Sequence, residues 1–286
     1  MEERVIITGT TGFIGGRAAL AFEEAGYRAV PFAGNVAEVE DWRRNLKGRI
    51  DLIVHLAGTR TESDRDYEIN AGGVRSLAEA LRKAAQKPAA LIFASTQALY
   101  CGLTPPFTEE MPVSPPTKYA QSKLEAERAV SELGREHDMR AVILRLSTVL
   151  GEGVREKSRM SGPLALWTRD AVAGKPIQVF QDGRQTRDYI HVDDVAAAIL
   201  LAAKSGEMKG IFNVGGERPI ELLTLAGWVK RAAGSGSEIV IRGGDASTAD
   251  PRALCSDTTK IRKFGWRPLK SPREAVRQYV ARFERV

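Results

Sequence analysis

The 286-residue sequence predicts an α/β fold, a doubly wound parallel sheet with a smaller C-terminal substrate-binding lobe. Three observations predict it. Short apolar runs alternate with helical patterns as far as about residue 150, the signature of strand-helix-strand units. The run at 51–56 is continuous rather than alternating, as a strand covered on both faces requires. A glycine-rich turn joins the first run to the first helical pattern, where a parallel sheet offers a ligand crevice.

The β-branched run 4–8 is the first strand, and residues 13–25 form the first helix, stopped by Gly26. Strands follow at 27–32 and 51–56, a helix at 68–85, a strand at 90–94, a helix at 118–136 and a strand at 141–146. Beyond Gly151 the pattern changes. Residues 155–162 are polar and read as a mobile loop, and helices are expected at 163–173, 194–203, 221–233 and 272–283. Short strands at 177–179, 212–214 and 239–241 lie between them, and the loop 234–237 is too short for a domain linker. The expected division is a dinucleotide-binding domain over 1–150 and a mixed α/β substrate lobe over 151–286, with segments around 180–210 returning to the first domain.

Composition narrows the function class. Hydrophobic content of 43% with 27% charged residues is that of a folded globular chain. No run of about 18 apolar residues exists, so no membrane partner is expected. The opening Met1-Glu2-Glu3-Arg4 is unlike a signal peptide, and the two distant cysteines, Cys101 and Cys255, exclude a disulfide framework; both point to the cytoplasm. The net charge of +6 is scattered among acids rather than clustered, which disfavours nucleic acid and suits small anionic ligands. The densest basic segment, 260–270, reads as a short helix and turn around Phe264 and Trp266.

Gly9-Thr10-Thr11-Gly12-Phe13-Ile14-Gly15 sits between the first strand and the first helix. Gly9 permits the turn, Gly12 admits a pyrophosphate to the backbone N–H groups, and Gly15 packs helix on strand. The helix N-terminus adds the partial positive charge an anion needs. This predicts NAD or NADP, with the choice open. Ala33 or Phe32 stands where an acid would hold the adenosine ribose, and no arginine replaces it. Asn35-Val36 are expected over the adenine edge, with Arg43 and Arg44 as possible phosphate partners.

Tyr119 and Lys123 lie one turn apart on the helix that Pro115, Pro116 and Thr117 start. An ammonium beside a phenol favours the phenolate, so the pair can move a proton near neutral pH. Such spacing is also common on ordinary helices. Ser95 and Thr96, at the carboxyl end of a strand, add hydroxyls able to bond the same substrate oxygen, or merely to cap a turn.

Taken together these motifs resemble the extended short-chain dehydrogenases/reductases of the NAD-dependent epimerase/dehydratase family, over nearly the whole chain. The resemblance includes His55-Leu56-Ala57-Gly58, Asn70 opening a helix, Leu99-Tyr100, the run 187–195 beginning Arg187-Asp188-Tyr189, Phe212-Asn213-Val214-Gly215-Gly216 and Phe264-Gly265-Trp266-Arg267-Pro268. It implies a Rossmann-type domain in which Leu56, Ala57, Gly58 and Asn70 join the glycine turn at the cofactor. It further implies Tyr119 as acid/base, Lys123 supporting it and the nicotinamide ribose, Thr96 positioning the sugar oxygen, and Arg187 on the diphosphate of a nucleotide sugar. Arg252 is a second candidate for that anion. By the residues alone Arg187 beside Asp188 is an ordinary surface ion pair. No metal site is expected, and a homodimer is.

Family dehydratases carry Asp-Glu where this chain has Gln97-Ala98, which disfavours a 4,6-dehydratase. The cysteine and histidine of fucose-synthase-type enzymes are missing. The short segment after Phe32 resembles dTDP-4-dehydrorhamnose reductases, which lack the 187–195 run. The reading is therefore a nucleotide-sugar 4-epimerase, with a 4-ketoreductase second. From a different class stands a dinucleotide-sensing regulator without chemistry, disfavoured because Tyr119 and Lys123 are both retained.

Overall fold

The computed structural model describes residues 2–60, 62–151, 162–243 and 252–283. Its first half is β1 (Arg4–Thr8), α1 (Phe13–Glu24), β2 (Arg28–Pro31), α2 (Val39–Asn45), β3 (Leu52–His55), α3 (Asp64–Tyr67), α4 (Gly73–Lys83), β4 (Ala90–Thr96), α5 (Lys118–Glu136) and β5 (Arg140–Leu146). Then follow β6 (Thr148–Leu150), α6 (Gly162–Val172), β7 (Ile177–Phe180), β8 (Thr186–His191), α7 (Val192–Lys204), β9 (Gly210–Val214), β10 (Pro219–Glu221), α8 (Leu222–Ala232), β11 (Ile239–Arg242), α9 (Thr259–Arg262) and α10 (Pro272–Phe283).

Six parallel strands form the main sheet in the order β2-β1-β3-β4-β5-β9. The chain reverses its winding beside β1, and that switch point opens a crevice beyond the carboxyl ends of the strands. Alternate residues explain the continuous apolar runs. Val5 and Ile7 of β1 pack with Phe22, Ile92, Leu144 and Ile199 on one face, while Ile6 packs with Ile53, Leu91, Val74 and Val130 on the other. The first face is covered by α1 and α7, which lie against each other, and the second by α4 and α5. Burying both faces of each strand removes the period-2 signal but leaves a strong apolar one.

A separate core joins Leu164 and Trp167 of α6, Ile177 and Val179 of β7, Leu225 of α8 and Val276 of α10. It carries two small sheets, β10-β8-β6 and the parallel pair β11-β7. The polar segment read as a loop lies outside the described residues as far as 161, and Gly162 already belongs to α6. The helix expected at 68–85 is longer and broken: α3 leads into a wider π turn at Glu68–Gly72 before α4. No helix of the described residues is long and apolar enough to cross a membrane.

Candidate active site

The glycine turn is as tight as its sequence demands. Gly9 has φ +73, and a Cβ there would stand 3.0 Å from the Ala57 nitrogen. A Cβ at Gly15 would lie 2.0 Å from the Gly9 carbonyl oxygen, so any side chain pushes α1 off the turn. The N-cap, Gly12, brings no side-chain cap, which leaves the first-turn N–H groups for a ligand. Gly9, Thr11, Gly12, Phe13, Ile14 and Gly15 line a cavity of about 470 Å³ at the strand ends. Leu56, Ala57 and Gly58 form its next wall; Ser95, Thr96 and Tyr119 face it as well.

Tyr119 stands in the first turn of α5, whose start is fixed by Thr117 accepting a hydrogen bond from the Ala120 N–H at 3.2 Å. One turn on, Lys123 is buried under the cavity floor, its Nζ donating to the Ala94 carbonyl at 2.9 Å. A Cβ on Gly58 would come within 3.1 Å of that Nζ, so only glycine lets the floor lie this close. Asn70 is behind the wall rather than on it. Its carboxamide accepts from the Thr59 N–H at 3.0 Å and donates to Ser122 Oγ at 3.1 Å, tying the loop after β3 to α5.

Burial pushes the Lys123 ammonium down to about 8, against the opposing pull of the Glu127 carboxylate. Burial first, and the charge of Lys123 second, push His55 down to about 3, so its imidazole is neutral. Thr8 Oγ1 accepts from the Leu56 and Ala57 N–H groups, each at 2.9 Å, so its own hydrogen goes to His55 Nδ1 at 2.9 Å. The loop carrying Ala57 and Gly58 is thereby fixed to β1.

The sign of the Lys123 effect on stability is testable. Between about 8 and 10.5 the unfolded chain holds this proton and the folded one does not, so the group's contribution rises with pH across that window. Below it the cost of burying the charge is complete, on the order of 3 kcal/mol. Urea unfolding of Lys123→Met and native protein should show a difference most in the variant's favour at pH 7 and shrinking by pH 10. A difference flat with pH would mean the ammonium is not desolvated.

At the end of β4, Thr96 Oγ1 accepts from the Ala98 N–H at 3.1 Å. Gln97 is buried and donates to Thr148 Oγ1 at 3.4 Å. The motif reading missed Arg60, Leu146, Ser147, Thr148 and Leu254, all of which line the cavity. The Arg60 guanidinium sits 5.8 Å over the Tyr119 ring. For Ser147 and Thr148 a signal existed: they directly follow a central parallel strand, where such folds bind ligands.

Other predicted residues lie away from this cavity's wall. Val36 is buried against Gly73, its carbonyl accepting from Trp42 Nε1 at 2.8 Å. The Asn35 side chain accepts from Ala37 N–H, and its own N–H donates to Asp41 at 2.6 Å. An acid therefore does reach the end of β2, but from α2, with Arg44 bonded to it. Arg252 is held in a bidentate pair by Asp182, at 2.8 and 2.7 Å, a bond that brings the Asp182 carboxyl down to about 2. Arg187 lies on β8 and donates to the Thr186 carbonyl at 2.8 Å.

The reading of Arg187 and Asp188 as a surface ion pair is corrected by the position of Asp188. Its carboxylate is fully buried and accepts from the Gly216 and Ser256 N–H groups at 2.7 and 3.2 Å. Neighbours on a strand point to opposite faces, so the two residues serve different surroundings. Burial pushes the Asp188 carboxyl up to about 6 despite those bonds. Among the described residues no group of His, Cys, Asp and Glu is arranged to hold a metal ion.

The NAD dependent epimerase/dehydratase family model matches residues 5–215. A UDP-glucose 4-epimerase of Azospirillum brasilense is 27% identical over 99% of this chain and 92% of its own length. A dTDP-glucose 4,6-dehydratase of Streptomyces niveus is also 27% identical, over 96% of this chain and 97% of its own. The crystal structure of a UDP-glucose 4-epimerase from Thermotoga maritima with UDP-glucose superposes with a TM-score of 0.90 at 26% identity, covering 99% of both chains.

Proposed function

The chain belongs to the NAD dependent epimerase/dehydratase family, and from that premise we propose that it is a nucleotide-sugar epimerase acting at sugar carbon 4 through Tyr119 and Lys123. The observation that carries the reading is the meeting of three things on one cavity: the glycine turn, Thr96 and Tyr119.

The residues fit a dinucleotide. The uncapped α1 N-terminus suits a pyrophosphate, Gly58 over Lys123 makes a flat floor with a cation beneath it, and Asn35 with Asp41 and Arg44 marks the adenosine end. Gly9, Thr11, Gly12, Phe13, Ile14, Gly15, Leu56, Ala57, Gly58 and Lys123 would hold it. When bound, NAD or NADP supplies the hydride acceptor and donor. Asp41 offers an acceptor for ribose hydroxyls and Arg44 a cation for a 2′-phosphate, so the residues suit both cofactors.

The chain's own groups handle the proton. Thr96 and Tyr119 address the C4 oxygen; the Tyr119 phenolate takes the hydroxyl proton as C4 is oxidised and returns it as C4 is reduced on the opposite face. Lys123 keeps a positive charge under that exchange up to about pH 8. Gln97 and Ala98 line the cavity where family dehydratases carry their acid pair, so elimination of water has no acid or base there. Incubation with UDP-, dTDP- and GDP-glucose, followed by NMR of the sugar, tests the reading. Conversion to the galactosyl nucleotide without net cofactor consumption supports it. Consumption of NAD(P)H with a 4-keto sugar supports the ketoreductase favoured by the short β2–β3 connection, and bound cofactor with no turnover supports a regulator.

Arg187 is assigned to the substrate diphosphate. A guanidinium can bond two phosphate oxygens in one plane. Arg187→Met should weaken UDP binding by about 2 kcal/mol with NAD(P) affinity unchanged. Calorimetry that finds equal UDP binding in both proteins removes the assignment.

A further inference from the structure

Two serines that line the cavity carry a buried hydroxyl with no hydrogen-bond partner among the described residues: Ser95 at the end of β4 and Ser147 just after β5. Both residues are deeply buried, 5% and 6% exposed, and both line the cavity beside Tyr119. Strands β4 and β5 run in parallel with Ser95 opposite Arg145. Paired residues of neighbouring strands point to the same side, so Ser95 and Arg145 share one face, and Ser147 follows directly after β5. That face is the one α5 covers, since Arg145 bonds Glu127 of α5 from it. The backbone under Ser147 is fixed by its N–H donating to the Val214 carbonyl at 2.9 Å. Nearby polar groups are already engaged: Thr96 Oγ1 with the Ala98 N–H, and Thr148 Oγ1 with Gln97.

Buried hydroxyls are almost always satisfied, and an exception calls for a ligand or another cause. We propose that Ser147, with Ser95 beside it, is a specificity-determining residue that reads a hydroxyl of the sugar other than the one being oxidised. The inference rests on the nucleotide-sugar reading above. Tyr119 and Thr96 already address the reacting oxygen, so the partner of Ser147 is a second one. A serine hydroxyl is one donor and two acceptors, which matches a sugar hydroxyl in both directions. A deoxygenated carbon leaves the serine unpaired in a buried wall, and sites built to bond a substrate hydroxyl reject such analogues strongly. The substrate class is therefore a glycosyl nucleotide that keeps its neighbouring hydroxyls, rather than a deoxy sugar.

The test compares kcat/KM of native protein, Ser147→Ala and the double variant Ser95→Ala/Ser147→Ala. The substrates are the glucosyl nucleotide that the native enzyme turns over and its 2-, 3- and 6-deoxy analogues. Native enzyme should turn over one analogue roughly ten- to a hundredfold less well. In Ser147→Ala that penalty should fall to within about threefold, with nucleoside diphosphate binding unchanged by calorimetry. A penalty that persists undiminished in Ser147→Ala overturns the inference, as does the lack of any penalty in an enzyme that epimerises the parent sugar. So does a loss of NAD(P) affinity in Ser147→Ala with discrimination intact, which would give the hydroxyl to the cofactor. If native protein neither binds nor converts any nucleotide sugar, the functional reading itself fails first.

Discussion

Tyr119→Phe is expected to lower turnover by a factor on the order of 10² or more, while NAD(P) affinity stays within about twofold. The phenylalanine keeps the ring that forms the cavity wall and loses only the oxygen that moves the proton. Tyr119 is half-buried in the first turn of α5, with Arg60 over its ring, so the packing is retained. Lys123→Ala should differ in kind. Its Nζ lies beneath Gly58 and bonds the Ala94 carbonyl, so removing it changes both the charge under the proton transfer and the floor of the cofactor site. Steady-state rates paired with cofactor titration separate the two variants. Tyr119→Phe turning over near the native rate would remove the tyrosine from its role, whatever the family does.

The parts of the fold that were legible in the sequence are those whose burial leaves a strong local mark. Strands β1, β3, β4 and β5 are buried on both faces and show as unbroken apolar runs. The start of α5 was legible because Thr117 caps it by a local bond behind two prolines. By contrast β6 and β10 span three residues each, too short to carry any period, and their partner β8 begins with the polar Thr186 and Arg187. In the site, the placing of Gly9 to Gly15 and Tyr119 on one cavity was legible because a glycine turn after the first strand and a capped helix start mark where they stand. Arg60 was not, and Ser147 was marked only by its place after a central strand, which does not say which way its side chain turns. Asp41 escaped for a related reason: the pattern looks for an acid at the end of β2, and this one arrives from α2 by tertiary packing.

Glu127→Gln is expected to destabilise the protein by about 3–5 kcal/mol, the cost of leaving a buried guanidinium without its counter-charge. Glu127 stands one turn beyond Lys123 and both it and Arg145 are 3% exposed. Arg145 donates to its two carboxylate oxygens from Nε at 2.9 Å and Nη2 at 2.7 Å. The third donor of Arg145 bonds Tyr100 Oη at 2.9 Å, and that hydroxyl donates to Asn213 Oδ1 at 2.8 Å. Asn213 Nδ2 in turn donates to the carbonyls of Phe107 and Asp257 at 2.9 and 3.2 Å. One chain of bonds thus runs from the helix carrying Tyr119 and Lys123, through β5 and β9, to the segment around 257. A neutral amide in place of Glu127 keeps the volume but breaks the charge balance at its centre. Replacing both partners, as Glu127→Met/Arg145→Met, should recover most of the loss, because apolar pairs of similar size often substitute for buried ion pairs. Stability separates the two variants, whereas a second readout should move in both. The carboxylate raises the Lys123 pKa against burial, so its removal in either variant lowers the ammonium below about 8 and moves the alkaline limb of activity to lower pH. Urea midpoints and pH-rate profiles of the two proteins decide it. An unchanged midpoint in Glu127→Gln would show that the pair is solvated, and an unchanged limb in both would show that Lys123 takes no support from Glu127.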